Sequence, residues 1–193
     1  LDLYITQGSL LERHRAGDDP HGVLYHNEHD GTFRDVTEAS GLTRRGWGMG
    51  VTFGDYDNDG WADVLLTYLE GTALFRNNGD GTFSDVTEKA GLVDDRWSSS
   101  AAFGDYDRDG NLDLYVCKYI AIDLDKLPAP GSGINCTYLG TPVMCGPRGL
   151  TGLPDVLYRN QGDGTFRDVT QSSGAVDRDR LFGLGVVLSL IHI

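Results

Sequence analysis

The chain alternates short apolar runs with acidic, glycine-rich breaks. Residues 50–53 and 101–103 form apolar runs that each precede an acidic stretch, and residues 62–67 (Ala-Asp-Val-Leu-Leu-Thr) and 112–117 (Leu-Asp-Leu-Tyr-Val-Cys) each follow one. Runs of this length, rich in β-favouring side chains and bounded by Gly, Asn and Asp, predict strands joined by loops. A second pattern places Leu-Tyr or Leu-Phe on one side of an Asp-Gly dipeptide and Thr-Phe on the other, which predicts a hairpin. It occurs from Leu24 to Leu42, from Leu74 to Leu92 and from Leu157 to Gly174. Asp30, Asp80 and Asp163 are then turn formers. Asp35, Asp85 and Asp168 are expected to cap a single helical turn ending at Gly41, Gly91 and Gly174.

The acidic breaks are themselves a repeat. Gly-Asp-Tyr-Asp-Asn-Asp-Gly at 54–60, continued by Asp63, returns as Gly-Asp-Tyr-Asp-Arg-Asp-Gly at 104–110, continued by Asp113. Asp55, Asp57, Asp59 and Asp63 recur as Asp105, Asp107, Asp109 and Asp113, whereas the fourth position is Asn58 in one copy and Arg108 in the other. An arginine cannot face a cation, so the odd positions point inward and the even ones outward. Hard oxygen ligands in this number suit Ca²⁺. The seventh position, Trp61 or Asn111, is expected to offer its main-chain carbonyl, and Gly60 and Gly110 supply the sharp turn. An EF-hand would need a glutamate at position 12, but Leu66 and Val116 stand there. The rival reading is a plain acidic surface turn. Each carboxylate pair without metal repels by about 4 kcal/mol at 4 Å if the effective dielectric is about 20, which argues against it.

Four short strands per unit, at spacings of about 40–50 residues, predict an all-β partial β-propeller of about three blades, with calcium-binding loops between strands. The units run 1–46, 47–96 and 97–181, the last with an insert over 118–156, and 182–187 starts another blade. Trp47, Trp97 and Phe182 stand at matching places and are expected to anchor one blade on the next; stacking on a ligand is the alternative.

These residues resemble the FG-GAP and VCBS repeat families, the integrin-α-type propellers. Phe53-Gly54-Asp55 with Asp57, Asp59, Gly60 and Asp63, and Phe103-Gly104-Asp105 with its own set, carry the likeness. The phrase Leu-Phe-Arg-Asn-Asn-Gly-Asp-Gly-Thr-Phe-Ser-Asp-Val-Thr, with Cys145-Gly146-Pro147-Arg148-Gly149-Leu150, is similar to the cartilage-acidic-protein-like group of bacterial secreted proteins. The resemblance implies a Ca²⁺-stabilised propeller that is secreted, at the cell surface or in the periplasm. It also implies non-catalytic adhesion to or recognition of a protein or glycan. Within that register Asp2 is the last ligand of a loop whose earlier positions are missing. Residues 188–193, Leu-Ser-Leu-Ile-His-Ile, resemble the translated end of a sequencing-library adapter, and the rival reading is a hydrophobic terminal strand. The chain is then expected to be a piece of a larger ring, with the rest of the parent propeller as its neighbour.

Composition changes the picture in a few places. Asp plus Glu number 29 against 16 Lys plus Arg, a net charge of −13, which makes nucleic acid a poor partner. The apolar tail over 181–193 is too short to span a membrane. Cys136 and Cys145 bracket a short loop in the insert and are expected to form a disulfide, leaving Cys117 as a buried apolar residue. Asn135-Cys136-Thr137 is a weak glycosylation signal. His14, His21, His26 and His29 invite a zinc reading, but His26 and His29 align with Arg76 and Gly79, so surface polar roles fit better. No nucleophile elbow or catalytic dyad emerges, and the chain is read as no enzyme. The alternative is the propeller portion of a Ca²⁺-dependent polysaccharide lyase or dehydratase, for which Arg148, Lys118 and Tyr119 are the local candidates.

Overall fold

The computed structural model describes residues 1–126, 136–143, 150–177, 179 and 181–188. Three antiparallel sheets follow one another along the chain. The first joins β1 (Leu3–Ile5), β2 (Val23–Asn27) and β3 (Phe33–Asp35) in that order. The second joins β4 (Gly48–Gly54), β5 (Asp63–Tyr68), β6 (Gly71–Asn77) and β7 (Phe83–Asp85), a four-stranded meander. The third opens with β8 (Ser98–Gly104) and β9 (Asp113–Lys118). Its chain then leaves through β10 (Ile120–Ala121), a 3-10 turn (Leu124–Lys126), the hairpin β11 (Cys136–Tyr138) and β12 (Thr141–Val143), and β13 (Thr151–Gly152). It returns as β14 (Val156–Asn160) and β15 (Phe166–Asp168), giving the order β15-β14-β9-β8. The fold is a partial β-propeller whose blades are these sheets.

Where the second blade turns from β5 to β6 through Leu69 and Glu70, the third inserts residues 119–155. The base of that excursion is closed by β10 pairing with β13. The Cys136–Cys145 pairing and Arg148 lie outside the described residues.

Alternation on the inner strands fixes how the blades pack. All of β5 is buried, and its successive side chains face opposite neighbours. Val64, Leu66 and Tyr68 join Tyr4, Leu42, Ala73 and Phe75 in a core against the first sheet. Leu65 joins Leu74, Leu114, Val116, Val156, Tyr158 and Phe166 in a core against the third. A strand buried on both faces reads as a continuous apolar run, and Val-Leu-Leu is one.

Each outer hairpin is held by short polar residues. Asp30, Asp80 and Asp163 each accept the main-chain N–H and the hydroxyl of the threonine two residues on. The turns that follow close at Gly41, Gly91 and Gly174, all left-handed with φ of 79°, 75° and 79°. Two are short helices, α2 (Thr37–Ser40) and α3 (Thr170–Ser173), preceded in the chain by α1 (Leu11–Arg15). Asp35, Asp85 and Asp168 do bind the N–H of Thr37, Thr87 and Thr170. In the two helical cases, however, the N-cap residue is Val36 or Val169, so the aspartate acts from one position earlier than expected.

Among the described residues the first sheet has three strands, one fewer than the second and third. Residues 182–187 form no strand; Gly183 donates to the Lys118 carbonyl on β9 and accepts from the Ser99 hydroxyl on β8. A strand needs a continued ladder of partners.

Candidate metal centres

Both acidic loops link the first strand of a blade to the second, β4 to β5 and β8 to β9. The aspartates shape their own loop before any ion is considered. Asp55 accepts the N–H groups of Asp59 and Gly60 at 3.0 and 2.9 Å, and Asp105 repeats this with Asp109 and Gly110. Asp59 Oδ1 caps Trp61 N–H, as Asp109 Oδ1 caps Asn111 N–H. Carboxylates that bond their own backbone in this way favour tight turns.

Each loop gathers three of its four expected carboxylates. Asp55, Asp57 and Asp63 form one cluster, and Asp105, Asp107 and Asp109 the other, with one ligand atom from each residue all within 4.8 Å of one another. Asp59 stands outside the first and Asp113 outside the second. The side chains at the seventh position differ: Asn111 Nδ2 donates to Asp109 Oδ1 of its own loop at 2.9 Å, whereas Trp61 turns to a neighbouring hairpin. The half-exposed Trp61 indole lies beside Gly79, and Asn111 Oδ1 accepts from Asn58 Nδ2 at 3.1 Å. Asn58 also donates to the Gly110 carbonyl, so an even-position side chain of one loop bonds the next loop. Gly60 and Gly110 are left-handed as expected, and so are Asn58 (φ 57°) and Arg108 (φ 63°).

The last carboxylates are anchors. Asp63 and Asp113 are fully buried; one oxygen accepts the N–H of Tyr56 or Tyr106 in the loop, and the other accepts that of Asn77 or Asn160 on the third strand. In the first sheet Asp2 accepts Asn27 N–H in the same manner. Burial pushes the Asp63 carboxyl up to about 6, with Asp57 and Asp59 adding to it against the two N–H donors. The same balance raises Asp113.

The strand pattern did not flag the arginines that meet these loops. Arg76 on β6 places Nε 2.5 Å from Asp57 Oδ2 and Nη2 2.6 Å from Asp59 Oδ2. Arg159 on β14 places Nε 2.7 Å from Asp107 Oδ2 and Nη2 3.0 Å from Asp109 Oδ2. His26 takes the corresponding place in the first sheet, 3.0 Å from Asp2. The recurring Arg-Asn pair inside the hairpin phrase was the available signal. One oxygen remains over: Asp57 Oδ1 is buried and has no hydrogen-bond partner.

Other residues marked in the sequence have structural surroundings. Lys118 is fully buried, with Nζ 2.8 Å from Asp94 and 2.7 Å from the Ser98 hydroxyl. Burial pulls its ammonium below the ordinary lysine range. Tyr119 packs edge-on between Trp97 and Phe182, at ring separations of 5.0 and 6.1 Å. Trp47 meets His14 of the preceding unit in the same edge-on fashion. His14 is therefore not the surface residue expected; its ring is nine-tenths buried and bonds Asp19 at 2.6 Å. Neither carboxylate cluster among the described residues includes a histidine. Cys117 is buried as expected, and burial pushes its thiol up to about 12.

Successive blades of short antiparallel strands, with an acidic loop between the first two strands of the second and of the third, define a β-propeller repeat protein. A model of the FG-GAP-like repeat matches residues 1–66 and again 55–116, together 116 of the 193 residues. The chain belongs to the FG-GAP-like repeat family. The two matches overlap on the first acidic loop, which closes one repeat and opens the next. No curated protein matches the chain. No helix among the described residues is long and apolar enough to cross a membrane.

Proposed function

We propose that this chain is a calcium-binding propeller module of a secreted, cell-surface or periplasmic protein, serving adhesion to or recognition of a protein or glycan, with calcium structural and not catalytic. The observation that carries the metal reading is the pairing of two three-carboxylate clusters with the partnerless, buried Asp57 Oδ1. An all-oxygen donor set of this charge suits a hard divalent cation. Asp55, Asp57, Asp59 and Asp63, with the Trp61 carbonyl, would hold one ion. Asp105, Asp107, Asp109 and Asp113, with the Asn111 carbonyl, would hold the other. The ion supplies positive charge that offsets carboxylate repulsion and favours the ionised form of the buried Asp63 and Asp113.

Family membership supports a recognition module over an enzyme. So does the environment of Lys118 and Tyr119: one is a buried ion-pair partner and the other is packed between two rings, so neither offers a reactive group to a substrate. The Leu-Phe-Arg-Asn-Asn phrase supports the cartilage-acidic-protein-like group within the family.

Calcium titrated into chelator-treated protein should show two sites, with dissociation constants on the order of 10⁻⁴ to 10⁻³ M, as in extracellular modules. Asp57→Ala and Asp107→Ala should each remove one. Two sites remaining in both variants would overturn the assignment.

A further inference from the structure

We infer that Arg76 and Arg159 are built-in counter-ions that set how tightly the acidic loops take a divalent cation, an inference that rests on the calcium reading above. The two side chains hold equivalent places in successive blades. Val64 on β5 lies opposite Phe75 on β6, so Arg76 stands at the end of the ladder, beside the mouth of the loop that Asp63 closes. In the third blade Leu114 lies opposite Tyr158, and Arg159 follows it in the same register. In both, Nε meets the Oδ2 of the third loop position and Nη2 meets the Oδ2 of the fifth. The ion pairing recurs in both loops, with a hydrogen bond from Nη2 to the fifth position in each, while Nε hydrogen-bonds the third position in the first loop and lies at ion-pair distance from it in the second.

The guanidinium cannot dissociate and stays charged at every working pH. Without metal it offsets the mutual repulsion of the loop carboxylates and so stabilises the empty loop. An arriving divalent cation meets carboxylates that are already partly neutralised, with a like charge beside them. Both effects work in one direction: the arginine favours the metal-free fold more than the metal-bound one. By linkage, removing its charge must lower metal-free stability and tighten calcium binding together. An arginine that merely held the loop in shape would do the reverse to affinity, since its loss would weaken binding. Both side chains are about two-fifths exposed, at 42% and 43%, so the effect is screened by salt.

The test is Arg76→Gln and Arg76→Lys in the full chain, with calcium as the probe, followed by titration calorimetry and by thermal unfolding with chelator and with saturating calcium. In Arg76→Gln one of the two sites should bind calcium roughly three- to tenfold more tightly. Its melting temperature in chelator should fall below wild type, the gap should close in saturating calcium, and the affinity gain should shrink at about 1 M salt. Arg76→Lys keeps the charge and should stay within about twofold of wild-type affinity. Unchanged or weaker calcium binding in Arg76→Gln, or a stability loss equal with and without calcium, would overturn the assignment and leave the calcium sites standing. If neither wild type nor variant responds to calcium, the calcium reading fails and this inference falls with it.

Discussion

Asp63 and Asp113 show how much one side chain can fix in this fold. Each is buried at the start of a central strand and holds two N–H groups, one from its own loop and one from the third strand. A loop carboxylate is thereby also a strand connector, and the Asn77 and Asn160 side chains add a second tie by donating to the Ala62 and Leu112 carbonyls. Glycines carry an equally local constraint. Gly71 has φ of 97°, and a Cβ there would come within 1.6 Å of the Asp94 carbonyl oxygen. Gly31 has nearly the same φ, 93°, with nothing within 4 Å. Gly71→Ala should therefore lose about 3 kcal/mol or more in denaturant unfolding, because the backbone of the next loop must shift. Gly31→Ala should lose only about 1 kcal/mol, the strain of the left-handed backbone alone.

At the level of elements, the segment entering β8 is tied to the end of β9 by a buried ion pair. Asp94 accepts from Lys118 and Arg96, both within 2.8 Å. Burial draws the Asp94 carboxyl upward, but the hydrogen bonds from Arg96 and Lys118 prevail and hold it at about 2. The unfolded chain then binds more protons than the folded one between about pH 4 and pH 2. The contribution is whole above that window and is lost as the pH falls through it. It amounts to roughly 2 kcal/mol. Asp94→Asn should flatten this part of the stability profile, measured by denaturant unfolding between pH 5 and pH 2. Lys118→Met should cost about 3–5 kcal/mol at neutral pH, since it leaves a buried carboxylate facing an apolar group.

Across the whole molecule, the second blade is the keystone, with one apolar core on each face. Polar contacts add to that packing. Asn160, nearly fully buried, donates to the Leu112 carbonyl in its own blade and to the Tyr56 carbonyl in the loop of the blade before. Asn58 runs the other way, from the first loop to Gly110. The two acidic loops are thus linked to each other as well as to their own strands. Asn160→Ala orphans two carbonyls and should cost about 1–3 kcal/mol. The loss should appear as lower protection of both loops in amide exchange; protection lost from the third blade alone would show that the bridge to Tyr56 contributes nothing.

The sequence by itself determined the period, the central strands, the outer hairpins and the identity of the loop carboxylates. All of these rest on contacts within a few residues: alternation along a strand, aspartates bonding their own backbone, and glycines at left-handed turns. Only the tertiary structure decided what meets what between strands. It brought Arg76 onto Asp57 and Asp59, set Lys118 inside against Asp94, and moved His14 from the surface to a buried place beside Trp47. Lysine, arginine and histidine have long or amphipathic side chains whose surroundings depend on the neighbouring strand or blade. A pattern of local periodicity carries no information about that register until the sheets are formed and packed.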